Sequence, residues 1–221
     1  MTTSTISAKS STNTAELIAD ALRADILQGR LKSSQPLRQD DIAAKFGVSK
    51  IPVREALYQL KAEGLVTFIP NRGATVSELS IQEVDEIYTM RIALETTALQ
   101  RALPRLTIAD LTRAEAILTA IDDEQNVARW SELNWEFHAT LYAPADLPRL
   151  LDWVHTLHVN VARYLVIYLA GLDYQTASQQ EHRTIVSACR HGDVETATAT
   201  LQHHLQSASQ QLATFLAQRQ Q

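Results

Sequence analysis

One stretch, Leu37 to Gly73, restricts the fold of this chain more than any other: LRQDDIAAKFGVSKIPVREALYQLKAEGLVTFIPNRG. It opens on a short helical pattern in which Ile42, Ala43 and Phe46 are apolar. Gly47 then offers a tight turn, because glycine enters the left-handed region without a Cβ penalty. Ser49 is placed to cap the next helix. Pro52 falls in that helix's first turn, where a missing N–H costs nothing. Val53, Ala56, Leu57 and Leu60 recur every three or four residues and so form one buried stripe, with Lys50, Arg54 and Lys61 off it. After Gly64 the period changes. LVTFI reads as a strand, Asn71-Arg72-Gly73 as a hairpin turn and ATV as the return strand. Two helices across a tight turn followed by a small hairpin describe a winged helix-turn-helix. Its cation-bearing second helix and basic hairpin tip suit a DNA major groove and the flanking phosphates.

Charge is distributed to match. The chain of 221 residues carries a net charge of −5, which by itself argues against a nucleic-acid partner. Split at residue 78, however, the front holds ten Lys/Arg against eight Asp/Glu, and the remainder holds ten against seventeen. All five lysines precede residue 62 and all seven histidines follow residue 137. A DNA-facing front and a differently employed back are implied. The front is only mildly basic, so specific contacts must outweigh bulk charge. Arg54 and Lys50, four apart near the helix start, are the leading contacts, since Arg54 can donate bidentately to guanine or phosphate. Arg38, Ser49 and the turn residues Asn71, Arg72 and Gly73 are the accompanying candidates for backbone or minor-groove contact.

Three segments follow from the patterning. Residues 1–13 are Ser/Thr-rich with few large apolar groups and read as a flexible tail. Residues 14–78 form the winged domain, with a first helix from Thr14 to about Gly29 carrying Leu17, Ile18, Ala21, Leu22, Ile26 and Leu27. Residues 79–221 read as helix throughout: 81–103, 107–123, 126–143, 147–170, 174–191 and 194–219. Pro104, Pro144, Pro148, Gly171 and Gly192-Asp193 mark the breaks. The fold class is therefore mainly α, a winged helix-turn-helix followed by an antiparallel all-helical bundle. A lone Cys189 permits no internal disulfide, and neither a secretory leader nor a membrane-length apolar run is evident. A cytoplasmic protein without a membrane partner is expected.

Gly47-Val48-Ser49, Pro52 to Leu57, Glu63 to Val66 and Arg72-Gly73 resemble, in order and spacing, the signature of GntR-type transcription regulators. The bundle resembles the FCD effector domain of that family's FadR branch, through Arg91 in MRIALE, Asn134 to His138 in NWEFHATLY, and the segment from Glu181. Six helices suggest the shorter, VanR-type version. Lys50-Ile51 and Gln39-Asp40 depart from the family's usual residues, so its preferred operator need not carry over. The resemblance implies a cytoplasmic homodimer on a short palindromic operator, commonly a repressor released by an effector.

The resemblance also implies a ligand set. In many FCD domains an Asp-x-x-x-His pair and two later histidines hold a divalent metal. Here the matching residues are Asn134, His138, His182 and His204, the 22-residue spacing from His182 selecting His204 over His203. Imidazoles suit zinc or nickel. Asn134 in place of Asp brings no negative charge, which favours an anionic effector such as a carboxylate, and Arg91 could pair with it. With Glu95 four residues on, Arg91 could equally form a structural ion pair. The competing reading is a helical-bundle metalloenzyme with an accessory DNA-binding domain. Against it, no Glu-x-x-His pair, HExxH or Gly-rich phosphate loop occurs.

Overall fold

Helix α1 (Thr5–Leu27) starts earlier than the apolar pattern requires. The computed structural model describes residues 5–169 and 174–219, so the helix takes in most of the stretch expected to be a flexible tail, and residues 1–4 lie outside the description. The reason is that nothing before Gly29 breaks a helix: neither Gly nor Pro occurs there. Once the packed turns have nucleated a helix, adding residues costs little. Ala15, Ile18, Ala19, Leu22 and Ile26 are its buried face and pack on the helix α3 (Lys50–Ala62), whereas Leu17 is 63% exposed. Arg23 fixes the pair of helices by donating through Nε and Nη2 to the two Glu63 oxygens at 2.7 and 2.6 Å.

Helices α2 (Gln39–Phe46) and α3 (Lys50–Ala62) follow, joined through Gly47 at φ 66°, whose N–H closes onto the Ala43 and Ala44 carbonyls. Ser49 occupies the N-cap position of α3 but makes no side-chain capping bond. Pro52, Val53, Ala56, Leu57 and Leu60 are buried. Strands β2 (Val66–Ile69) and β3 (Gly73–Val76) pair antiparallel around Pro70, Asn71 and Arg72, with Asn71 left-handed at φ 63°. A third strand that periodicity did not suggest, β1 (Pro36–Leu37), adds to β3, giving the order β1-β3-β2. Two residues are too few to show a period, and Pro36 sits where a proline is tolerated, on the edge. These elements make one compact unit, Met1–Glu78.

The second unit is Leu79–Gln221. Its helices are α4 (Ile81–Ala102), α5 (Ile108–Asp123), α6 (Val127–Tyr142), α7 (Pro148–Leu169), α8 (Tyr174–Arg190) and α9 (Val194–Arg219). Capping boxes start two of them, Ser80 with Glu83 and Thr107 with Asp110. Pro104 and Pro144 sit in single 3-10 turns after α4 and α6. Gly192 at φ 69° ends α8, and Asp193 accepts from the Thr196 N–H at the start of α9. The break expected at Gly171 lies outside the described residues. Helix α4 packs on α9, α7 and α6, while α8 bridges α5 and α9. Tyr88, Leu99, Phe137, Leu141, Tyr142, Ile185 and Leu201 fill the centre. No helix among the described residues is long and apolar enough to cross a membrane.

Candidate metal centre and nucleic-acid interface

Four of the bundle's buried polar residues come from three helices. Asn134 and His138 lie one turn apart on α6, His182 on α8 and His204 on α9, and all four are buried. One ring nitrogen of each histidine lies within 4.8 Å of those of the other two. The ring centroids are 5.0 Å apart for His138 and His182, 5.4 Å for His138 and His204, and 4.6 Å for His182 and His204. Helix α5 packs on both α6 and α8, and α8 packs on α9, which draws the three residue-bearing helices together.

The hydrogen bonds around the cluster settle where each ring carries its proton. The Tyr142 hydroxyl donates to Glu95 Oε2 at 2.9 Å, so it can only accept from His138 Nδ1, 3.1 Å away. Gln179 spends its amide N–H groups on the Leu118 carbonyl and Asp122, so its oxygen accepts from His182 Nδ1 at 3.0 Å. Glu181 accepts from His204 Nδ1 at 2.8 Å. All three imidazoles are thus protonated on Nδ1, which leaves the Nε2 lone pairs available. Those of His138 and His182 are buried without a partner, as is Asn134 Oδ1. Burial pushes His138 well below the ordinary histidine range, and the neighbouring His182 and His204 add to it. Burial, then His204 and Arg183, does the same to His182. Both are neutral near pH 7. Buried acceptors that none of the described residues satisfies, two of them on rings oriented by outer partners, have the chemistry of a transition-metal donor set.

Arg91 is buried on α4 and its Nε donates to Glu95 at 2.7 Å, with the guanidinium over the Tyr88 ring at 4.9 Å. Of the two roles open to it from sequence, the structure shows the ion pair. Burial opposes the Arg91 charge, but Glu95 together with Tyr88 and Tyr142 outweighs it, so its pKa is raised. Arg91, Glu95, Tyr142 and His138 therefore form one hydrogen-bonded chain leading to the cluster. Tyr142 and Gln179 were discoverable from sequence, since they stand four after and three before their histidines on the same helical faces. Helical spacing pairs Glu95 with Arg91, and nothing in a single helix shows that Glu95 also takes the Tyr142 proton. Of the other histidines, His158 is buried against Trp135 at 4.9 Å with an unpartnered Nδ1, while His155, His191 and His203 are exposed. Asp122, exposed at the end of α5, accepts from Gln179 and pairs with Arg183.

In the first unit, Arg38, Ser49, Lys50, Arg54, Asn71, Arg72 and Gly73 are all exposed. Lys50 reaches back to Asp40 at 2.6 Å, and Arg38 lies 3.8 Å from Asp41. Arg54 lies over the Tyr58 ring at 5.5 Å, and Tyr58 stacks on Phe68 of β2 at 4.9 Å, tying α3 to the hairpin. Lys61 covers the same Phe68 ring at 5.8 Å.

A winged helix-turn-helix with exposed cations along α3, followed by a helical bundle with a histidine cluster, defines a DNA-binding regulator with a sensing domain. Family profiles agree: residues 14–76 match the bacterial regulatory proteins of the gntR family, and residues 86–207 match the FCD domain. The chain belongs to the GntR family of transcriptional regulators and carries an FCD effector domain. It is similar to the "Probable D-xylose utilization operon transcriptional repressor" of Paenarthrobacter nicotinovorans, 30% identical over 88% of this chain and 86% of that one. It is also similar to the HTH-type transcriptional repressor RspR of Escherichia coli, 28% identical over 86% and 84%. Among solved structures, a GntR-family regulator from Pseudomonas syringae is 31% identical, with a TM-score of 0.59 over 94% of this chain and 87% of that one. E. coli McbR/YncC shares the fold at 22% identity and a TM-score of 0.79, over 92% and 98%. The two repressors and the Pseudomonas syringae protein are named as transcriptional regulators, and this chain is a transcriptional regulator of the same family.

Proposed function

We propose that this chain is an effector-released repressor of the FadR branch, VanR type. It acts as a homodimer on a short palindromic operator, with His138, His182, His204 and Asn134 holding a divalent transition metal. The carrying observation is the set of buried, unpartnered acceptors on α6 and α8 beside a third histidine whose outer nitrogen is held by Glu181. Neutral imidazoles favour zinc or nickel over the harder cations. Three imidazoles and an amide add no negative charge, so a bound dication would attract an anionic effector, a small carboxylate being the simplest. Glu95 engages the Nε of Arg91, and a guanidinium has five N–H donors, so one side chain can serve both Glu95 and a ligand carboxylate. Two relatives named as repressors support that sign of regulation. The six α-helices among the described residues of Leu79–Gln221 support the VanR-type placement.

An effector changes operator affinity only by binding one arrangement of the dimer better than another. The test is selection of DNA from genomic fragments by the purified protein at fixed salt, followed by metal analysis of the same preparation. Enrichment of a palindrome, about one metal per chain, and operator release by a carboxylate found only with metal present are the expected results. Sequence-blind binding would sink the operator reading, and a metal-free protein that cannot be loaded with zinc or nickel would sink the metal reading.

A further inference from the structure

One line of side chains on the exposed face of α3 runs among Lys50, Glu55, Gln59 and Lys61, which are exposed as well. Ile51, Arg54 and Tyr58 follow each other at three- and four-residue spacing, opposite the buried Val53, Ala56, Leu57 and Leu60. The first of them is not polar. Ile51 is 66% exposed, the most exposed large apolar side chain described in Met1–Glu78. Its neighbours on the helix are engaged, Lys50 with Asp40 at 2.6 Å and Arg54 against the Tyr58 ring. At the tip of the helix that enters the groove, the chain therefore presents a branched aliphatic group one turn before its bidentate arginine.

The position matters because the N-terminal residues of a recognition helix meet base edges. A major groove offers one sizeable apolar group, the thymine C5-methyl, and the other edge atoms are hydrogen-bond donors and acceptors. Isoleucine is β-branched and stiff at χ1, so its methyl groups are already placed and lose little freedom on docking. Scattered exposed apolar side chains are ordinary on protein surfaces. One standing in line with Arg54 at the start of α3 has a stated use.

We propose that Ile51 reads a thymine in each operator half-site by packing against its C5-methyl group, making it a specificity-determining residue beside Arg54. The inference rests on the operator reading above and commits to more than it does. The two can fail separately.

The experiment begins with the operator selected by the full-length protein. Each thymine is replaced in turn by deoxyuridine, which removes the methyl group and keeps every hydrogen-bonding atom. Affinity is read by fluorescence anisotropy at one salt concentration. The wild-type protein should lose about fourfold at one thymine per half-site, and roughly sixteenfold when both are replaced, the scale of one buried methyl-sized group. The Ile51→Ala protein should bind thymine and uracil operators alike. Its unfolding midpoint and its affinity for unrelated DNA should match wild type, as the side chain is exposed. An operator with no methyl-sensitive thymine, or an Ile51→Ala protein that keeps the full uracil penalty, overturns the assignment while leaving the operator reading intact. Failure of the wild-type protein to select any sequence overturns both.

Discussion

Glu95→Ala should be among the most damaging single substitutions in the effector domain. Glu95 is fully buried, its partner Arg91 is 5% exposed, and the two meet at 2.7 Å. Removing one member of a buried ion pair leaves the other as an uncompensated charge, at a cost of about 3–5 kcal/mol. Glu95 also accepts the Tyr142 proton at 2.9 Å, and an unpaired buried hydroxyl adds roughly 1–3 kcal/mol, not fully additive with the first. A loss of about 4–6 kcal/mol is expected, a large share of the roughly 5–15 kcal/mol that holds an ordinary domain folded. Replacing both partners by apolar residues, Arg91→Met with Glu95→Leu, removes the charge with its counter-charge and should be clearly more stable than Glu95→Ala alone. Urea unfolding followed by tryptophan fluorescence measures this cleanly, because Trp130, Trp135 and Trp153 all lie in Leu79–Gln221. A loss below about 1 kcal/mol for Glu95→Ala, or a double variant no better than the single, would refute the ion-pair reasoning. A gentler change, Glu95→Gln, carries a second consequence. Tyr142 is then free to donate to His138 Nδ1, which moves the ring proton to Nε2 and removes a donor atom. Metal affinity should fall by roughly 10- to 100-fold, the usual effect of losing an outer partner.

Other expectations follow from single sites. Stripping metal with a chelator, or replacing His182 by Ala, should lower the tryptophan-detected unfolding free energy. The loss should be about 2.7 kcal/mol where free metal stood at a hundred times its dissociation constant; an unchanged midpoint in both would count against the metal centre. Asn134→Asp places a negative charge beside the three imidazoles and should tighten zinc by roughly tenfold or more, measured by competition with a chelating dye. Gly47→Ala meets nothing within 4 Å, so its cost is only that of holding a side chain at φ 66°. About 1 kcal/mol is expected by calorimetry, and a neutral result would mean the turn relaxes. Arg54→Ala should relax base preference at one operator position, whereas Arg72→Ala should weaken binding across sequences and flatten the salt dependence.

Much of this molecule was readable one helix at a time. The buried stripe of α3, the left-handed Gly47, the Asn71 turn and the bounds of α4 to α9 all follow from local period, caps and breakers, which act over a few residues and need no tertiary partner. Where local signals are silent, the chain's own pattern does not show the structure. Nothing in two residues marks Pro36-Leu37 as a strand, and composition alone took residues before Thr14 for coil when no helix breaker stood in the way. Leu17 fits a helical period yet faces outward, because a period gives spacing and not which flank of the stripe meets α3.

The sequence by itself determined the class of protein, since the order and spacing of the winged motif and of the FCD segments are properties of the chain. It also supplied the four candidate metal-site residues, Asn134 and His138 a turn apart and the two later histidines at their interval. Only the tertiary structure decided that the three imidazoles converge, that their outer nitrogens are held by Tyr142, Gln179 and Glu181, and that Arg91 is bound to Glu95. The physical reason is range. Helical period places a side chain on a face, but which faces meet is set by the packing of α4, α6, α8 and α9. A proton's position on a buried imidazole is set by atoms from whichever helix packs there, including one 47 residues away along the chain in the case of Glu95 and Tyr142.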